Sequence, residues 1–196
     1  MGDGVAGFPF IENYGDESFS YMQKLTAGDL CNVAYIAKNN RSGHLLVVKF
    51  VEDYNTEAHR LLAAHGLAPS LHYAATENPG TVKYGDLFMI VMDYIEGATP
   101  YGFLSVDAFR QIKEAVDLLH SKDFVLGNLS LNNILIKGGK AMIIDFTWCN
   151  KAGEGRYPAD FEPETGIEYP VGVGPNCIMH KVHDMEMLEK LYSREV

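Results

Sequence analysis

Lys49 and Glu57 are the first pair of residues whose types and spacing suggest chemistry. Lys49 lies within the β-prone run HLLVVKFV at residues 44–51, where a buried ammonium group without a partner would be costly. Glu57 follows eight positions later, at the start of a predicted helix, and supplies a carboxylate that balances this charge. A cation presented from a buried strand suits a polyanion such as a nucleoside triphosphate. A surface lysine and a surface glutamate are the alternative explanation.

Asn133 and Asp145 form a second pair, and their chemistry is that of metal ligands. Asn133 precedes the apolar run ILIK, and Asp145 follows the apolar run AMII. Amide and carboxylate oxygens are hard ligands of the kind that Mg²⁺ prefers. The oxygen atoms of both residues would therefore suit a hard cation. An Asx cap at Asn133 and a simple turn at Asp145 are the alternative.

Hydrophobic patterning predicts the elements that must position these groups. About five strands precede residue 97, at 21–26, 31–38, 44–51, 70–76 and 86–95, with one helix running from Asn55 or Thr56 to near Gly66. An amphipathic helix follows at 105–121, with one face made of Ala108, Ile112, Ala115, Val116 and Leu119. A loop at 123–133, a hairpin of strands 134–137 and 141–146, an irregular stretch at 148–175 and a helix at 182–193 complete the chain. This order predicts two lobes, residues 1–96 and 97–196, with a ligand-binding cleft between them.

Composition narrows the classes of partner and compartment. The chain has 196 residues, with 26 acidic and 16 basic side chains and a net charge of −10. This balance argues against binding to nucleic acid or to an anionic membrane surface. Cys31, Cys149 and Cys177 are too few and too scattered for a disulfide framework, which favours a reducing compartment. With neither a signal peptide nor a transmembrane run in the sequence, we expect a cytoplasmic or nuclear protein.

Over residues 21–158 the sequence resembles the protein-kinase-like superfamily, in particular its small, divergent fungal kinase-like and pseudokinase type. The motifs that carry the resemblance are VVK at Val47–Lys49, Glu57, MDYIEG at Met92–Gly97, GNLSLNNIL at Gly127–Leu135 and IDFT at Ile144–Thr147. The resemblance implies an α+β, two-lobed fold. Its N-lobe would be a five-stranded antiparallel sheet with one helix, and its C-lobe would be truncated and mainly helical.

The resemblance also implies ATP and Mg²⁺ as cofactors and assigns roles to single residues. Lys49 and Glu57 would hold the α- and β-phosphates, while Asn133 and Asp145 would hold Mg²⁺. In a hinge at 92–95, backbone groups would pair with the adenine edge, and three apolar side chains would pack on its ring. The hinge residues are Asp93 and Ile95, and the apolar residues are Val33, Val47 and Leu135. An ordinary core position is the alternative for each of the three apolar residues.

The sequence departs from the kinase pattern where phosphate is transferred. The position of the catalytic aspartate is Asn128, and an amide cannot act as a general base, which commonly contributes about 10²–10⁴ in rate. Leu126 replaces the histidine of the same motif, and Ser130 replaces the cation two residues after the aspartate. Thr147 stands where kinases have a glycine two residues after the metal-binding aspartate. Of the three glycine positions of the phosphate loop, only Gly28 is a glycine, and the other two are Thr26 and Cys31. The catalytic candidates are therefore Lys49, Asn128 and Asp145.

Three functions fit these observations. The first is a pseudokinase that binds Mg²⁺ and ATP and acts through a protein partner or as a homodimer. The second is a weakly active ATP-dependent phosphotransferase, and the third is a kinase-like cleft used for another small-molecule reaction. Elsewhere, we expect the His180-x-x-His183 motif with Asp184 to form a solvated helix face, and Cys149 to be a packing residue.

Overall fold

The computed structural model describes Pro9 and residues 11–25, 32–77, 85–163 and 166–192. Contacts group the described residues of 1–53 and 71–94 into unit 1, and those of 54–70 and 95–196 into unit 2. Helix α1 (Thr56–Ala64), which we predicted within the first lobe, groups with unit 2. The predicted lobe boundary at residue 96 stays a prediction.

Unit 1 is built on an antiparallel sheet of six strands, with the order β1-β2-β3-β4-β6-β5. The strands are β1 (Asn13–Tyr14), β2 (Glu17–Lys24), β3 (Asn32–Asn39), β4 (Leu45–Val51), β5 (Leu71–Ala74) and β6 (Phe88–Asp93). The sheet has one strand more than predicted, because the short segment β1 pairs with the start of β2.

The two faces of β4 have different tasks. Leu46, Val48 and Phe50 alternate along the strand and pack into the hydrophobic core of unit 1. The intervening residues Val47 and Lys49 therefore face the other side of the sheet. The alternation of side chains along this strand therefore places Lys49 on the face opposite the hydrophobic core.

Unit 2 contains three helices and four short strands among its described residues. Besides α1, these are α2 (Val106–Ser121), β7 (Phe124–Val125), β8 (Ile134–Lys137), β9 (Lys140–Ile143), β10 (Asn150–Lys151) and α3 (Lys181–Lys190). Ser105 caps α2 by accepting a hydrogen bond from Ala108 N at 3.2 Å, and the five apolar residues predicted for its buried face are confirmed. No helix in the described part of the chain is both long and apolar enough to cross a membrane.

Gln111 on α2 holds the β8–β9 hairpin in place. Its Nε2 donates to Gly139 O at 2.9 Å, and its Oε1 accepts from Ala141 N at 3.1 Å. One side chain thus satisfies two backbone groups at the hairpin turn, which fixes the hairpin against the helix.

The carboxylate of Asp184 on α3 holds the start of the loop that follows β7. Its Oδ2 accepts from Leu126 N at 2.8 Å and from His120 Nε2 at 3.0 Å, and its Oδ1 accepts from Gly127 N at 2.8 Å. Asp184 is completely buried, so these donors take the place of water around the carboxylate. The loop from Leu126 onward therefore leaves β7 in a fixed direction.

The neighbouring residue His183 makes a second buried polar contact. Its Nδ1 accepts from the Tyr157 hydroxyl at 2.9 Å. Burial, and then the nearby His180, lower the pKa of His183, so the ring is neutral and can accept this bond. The predicted solvated helix face is wrong, because the side of α3 that faces the core carries His183, Asp184, Met187 and Leu188.

The irregular stretch that follows β9 builds a core of its own. Val125, Tyr157, Phe161 and Met179 form its buried centre, and partly buried side chains, including Trp148 and Tyr169, pack around them. Trp148 and Phe161 lie 5.3 Å apart between ring centroids. Aromatic packing therefore orders a segment for which the sequence predicted little secondary structure.

Gly127 combines a left-handed backbone with close packing. Its φ is +79°, and a Cβ at this position would overlap the methyl group of Met179 and lie 3.3 Å from Tyr157 Cε1. Glycine at this residue therefore lets the loop pass between Asp184 and the aromatic cluster without strain.

We expect Gly127→Ala to destabilise the protein more than Gly153→Ala. Both glycines have a left-handed φ, +79° and +77°, so each alanine carries a similar backbone strain of about 1–2 kcal/mol. At Gly153 nothing lies within 4 Å of the added Cβ. Urea unfolding should therefore show an additional loss of about 1–3 kcal/mol for Gly127→Ala, because its methyl group overpacks the core.

A Met179→Ala background provides the control for this comparison. The additional loss should largely disappear there, because the overlapping methyl group has been removed. Equal losses for the two glycine variants in the otherwise unchanged chain would contradict the packing described around Gly127.

Candidate functional site

The loop that Asp184 holds contains Asn128, which the sequence resemblance predicts to be at the position of the kinase catalytic aspartate. Asn128 is 9% exposed, and within the described residues its Oδ1 has no hydrogen-bond partner. Ser130, two residues later, is also buried, and its Oγ likewise has no partner in the described chain. Buried polar atoms without a protein partner are rare and call for an explanation such as a ligand, an ion or a water molecule.

Asn133 and Asp145, the predicted metal ligands, lie at the same end of the β8–β9 hairpin. Ile134 pairs with Ile143, and Ile144 N donates to Asn133 O at 3.0 Å, so the ladder continues to the residue before Asp145. Asn133 Nδ2 donates to Asn128 O at 3.0 Å. Because its nitrogen is engaged by the backbone, the oxygen of this amide is the atom left to coordinate a cation.

Asp145 also takes part in a local turn. Its Oδ1 accepts from Thr147 N at 3.0 Å and from Thr147 Oγ1 at 2.9 Å. Thr147 thus replaces the expected glycine with a side chain that fastens this carboxylate. The turn reading of Asp145 is compatible with metal binding, since a carboxylate has several lone pairs.

The residues after Asp145 are anchored to the start of α1. Phe146 stacks on His59 with ring centroids 4.7 Å apart and an interplanar angle of 10°. Asn55 accepts the capping bond from Ala58 N at 2.9 Å and donates from Nδ2 to Cys149 O at 3.1 Å. The N-terminus of α1, with Glu57 in its first turn, is therefore fixed relative to the Asp145 segment within unit 2.

Tyr54 completes this anchor beneath α1. Its hydroxyl lies 2.8 Å from His59 Nδ1, and His59 Nε2 lies 2.8 Å from Pro69 O. Because Pro69 O can only accept, the His59 proton belongs on Nε2, and Tyr54 donates to Nδ1. Burial, and then the charge of Asp145, raise the pKa of Tyr54, which keeps it a donor.

Lys49 lies in the interior of the unit 1 sheet. It pairs with Ala34 on β3 and with Ile90 on β6, and it is only 7% exposed. Among the described residues no other lysine or arginine is buried. The prediction of a buried strand cation is therefore confirmed, whereas its pairing with Glu57 stays a prediction.

Val33 does not share a face with Val47. Val33 pairs with Phe50 and lies in the hydrophobic core of unit 1, whereas Val47 is on the Lys49 face. The two valines therefore cannot pack together on a ligand ring as we expected. A shift of one residue moves a strand side chain to the opposite face, and the register puts Ala34, not Val33, opposite Lys49.

Strand pairing fixes the direction of the backbone groups of Asp93 in the predicted hinge. Tyr94 N donates to Leu45 O at 3.1 Å, so the alternation of antiparallel pairing turns the backbone groups of Asp93 towards the other edge of β6. The Asp93 carboxylate accepts from His72 Nε2 at 2.6 Å. Pairing of Asp93 with an adenine edge stays a prediction.

Ile95 and Leu135 belong to unit 2, and both are half-buried. Ile95 O accepts from Gly97 N at 2.9 Å, and the next residue, Ala98, forms a bridge with Ile136. The segment after Ile95 therefore lies along β8, which carries Leu135. Their contact with a nucleotide ring stays a prediction.

Other predictions vary in outcome. Thr26, Gly28 and Cys31 of the phosphate loop lie outside the described residues. Cys149 is buried, and burial raises the pKa of its thiol, which agrees with a packing role.

No group of three His, Cys, Asp or Glu side chains in the described ranges is arranged to hold a metal. Mg²⁺ often binds one or two carboxylates together with substrate phosphates, so Asn133 and Asp145 suit that ion.

Comparison with known proteins supports the fold of the chain. No family model matches the sequence, and no curated protein matches it. The structure is similar to that of the Cydia pomonella granulovirus kinase PK-1, with a TM-score of 0.54 and 17% sequence identity. The similarity covers 74% of this chain, which spans only 58% of the viral kinase. The resemblance to fungal proteins stays a prediction, and the fold of the chain is protein-kinase-like.

Proposed function

We propose that the chain is a pseudokinase that binds Mg²⁺ and ATP, lacks the base for phosphoryl transfer and acts through a protein partner. The observation that carries this proposal is Asn128, a buried amide at the position of the kinase catalytic aspartate. The bonds to Asp184 and the bond from Asn133 keep its loop ordered. The departure from a kinase therefore lies in the side chain that would accept a proton, and not in the loop that carries it.

The chemistry of an amide explains why the proposal favours loss of transfer. An amide oxygen accepts a hydrogen bond from a hydroxyl group but does not take up its proton at neutral pH. General-base assistance commonly contributes about 10²–10⁴ in rate. Ser130 stands where kinases have a cationic side chain, and Leu126 is an apolar side chain where kinases have a histidine.

Lys49, Asn133 and Asp145 are the residues that we assign to Mg²⁺ and ATP. Lys49 supplies a cation from the interior of β4, and the other two supply amide and carboxylate oxygens from one end of a hairpin. This donor set suits a phosphate chain with a hard cation. When bound, Mg²⁺ neutralises charge on the phosphates.

A weakly active phosphotransferase is the second candidate, and one observation favours it. Asn128 Oδ1 is an acceptor without a partner among the described residues, so it can orient a substrate hydroxyl. Phosphoryl transfer depends mainly on positioning and on charge stabilisation, and a missing base therefore need not abolish it.

We expect Mg²⁺ with ATP to raise the melting temperature of the protein. A ligand that binds only the folded state stabilises it by about 2.7 kcal/mol at roughly 100 times its Kd, which is a rise of about 5–10 °C for a chain of this size. Differential scanning fluorimetry with and without Mg²⁺ measures this rise.

Two lysine variants control the melting experiment. Lys49→Met should abolish the rise, whereas Lys38→Met, at an exposed position on β3, should preserve it. An unchanged melting temperature at millimolar Mg²⁺ and ATP would count against both nucleotide-binding candidates and favour a cleft used for another reaction.

We expect Asn128→Asp to gain phosphate transfer. The restored carboxylate supplies the missing base, and the rate should rise by about 10²–10⁴ over the parent chain. Release of labelled phosphate from ATP, and its incorporation into protein, measure the gain, with Asn132→Asp in the same loop as the matched control. Turnover by the parent chain equal to that of Asn128→Asp would instead establish the phosphotransferase.

A further inference from the structure

A depression on the surface of unit 2 combines aromatic rings with carboxylates. It has a volume of about 700 Å³ and is lined by Phe109, Glu186, Glu189, Lys190 and Tyr192. We call it the aromatic–acidic depression. It is formed by α2, α3 and the residues just after α3, and none of its residues belongs to the candidate nucleotide or metal site.

Two aromatic rings line this depression, and exposed apolar side chains lie close to Phe109 along the chain. The rings of Phe109 and Tyr192 lie 4.7 Å apart between centroids, tilted by 37°. Phe103, three residues before α2, and Val106, its first residue, are 51% and 49% exposed. Exposed apolar side chains close to one another are a recurring mark of protein interaction sites.

The charges at the depression are unbalanced. Lys190 donates to Glu168 O at 3.0 Å, and Lys181, at the other end of α3, donates to Asp123 Oδ1 at 2.5 Å. Arg110 and Lys113 of α2 are engaged by carboxylates of their own helix, in the pairs Arg110–Asp107 and Lys113–Asp117. Within the described part of the chain, Glu186 and Glu189 therefore have no ion-pair partner.

We propose that the aromatic–acidic depression binds a basic, amphipathic segment of another protein, with an arginine side chain at its centre. A guanidinium group stacks on aromatic rings and pairs with carboxylates at the same time, which an ammonium group does less well. Apolar residues of the same segment would cover Phe103 and Val106.

The net charge of the chain argues against a second copy as the occupant. Each copy carries a charge of −10, and a symmetric contact would bring Glu186 and Glu189 of both copies together. A basic partner removes this repulsion. The proposal gives a location to the partner of the proposed function, but it does not depend on nucleotide binding.

Peptide binding tests the proposal directly. The probe is a fluorescein-labelled amphipathic peptide of roughly 15 residues, with arginine on one face and leucine on the other. Companion peptides carry lysine or glutamate in place of arginine. Fluorescence anisotropy without nucleotide should show the arginine peptide binding about two- to fivefold tighter than the lysine peptide, and no binding of the glutamate peptide.

Variants locate the binding. Glu186→Gln/Glu189→Gln should weaken the affinity for the arginine peptide by about fivefold or more. Asp160→Asn/Glu162→Gln removes the same charge from an exposed segment of unit 2 and should change the affinity by less than about twofold. Phe109→Leu keeps an apolar side chain but removes a ring, so it should erase the preference for arginine over lysine.

Three outcomes would overturn the proposal. Equal losses of affinity in the two double variants would show that peptide binding depends only on the net charge of the protein. A dimer in sedimentation that Phe109→Leu disrupts would make a second copy the occupant. An increase in affinity of about tenfold in Arg194→Gln, a residue outside the described range, would show that the chain fills the depression itself. Because the assay contains no nucleotide, its failure leaves the ATP proposal unaffected.

Discussion

The carboxylate of Asp184 is completely buried, and the candidate site depends on the three hydrogen bonds that it accepts from Leu126, Gly127 and His120. Each buried donor left without its acceptor would cost about 1–3 kcal/mol, so the loop stays where the carboxylate holds it. Gly127 can follow this path because it tolerates a positive φ next to Met179. The fixed path of this loop then determines where Asn128 and Asn133 lie.

Local patterns in the sequence predicted the elements whose residues alternate or repeat regularly. The β4 run and the α2 face are of this kind, and both are confirmed because their apolar periodicity matches the core that they enter. Tertiary contacts decide the rest. Val33 lies one residue out of register with Lys49, and sequence alone does not specify how two strands align. Asp184 looked like a solvated charge, since its backbone donors are distant in sequence.

In the proposed function, the residues assigned to nucleotide binding match the kinase pattern better than the residues assigned to phosphate transfer. Lys49 is buried in its strand, and Asn133 meets the Asp145 segment through the hairpin ladder. At Asn128 and Ser130 the side chains are buried in an ordered loop, yet neither can take up a proton from a substrate hydroxyl. We propose, on the basis of this asymmetry, that the protein senses a nucleotide and signals through a partner.

A crystal structure grown with Mg²⁺ and a non-hydrolysable ATP analogue tests this account most directly. The account predicts one bound analogue, with its α- and β-phosphates contacted by Lys49 and its Mg²⁺ ligated by the oxygens of Asn133 and Asp145. Crystals that contain no analogue at saturating concentration, or an analogue bound without any contact to these three residues, would contradict it.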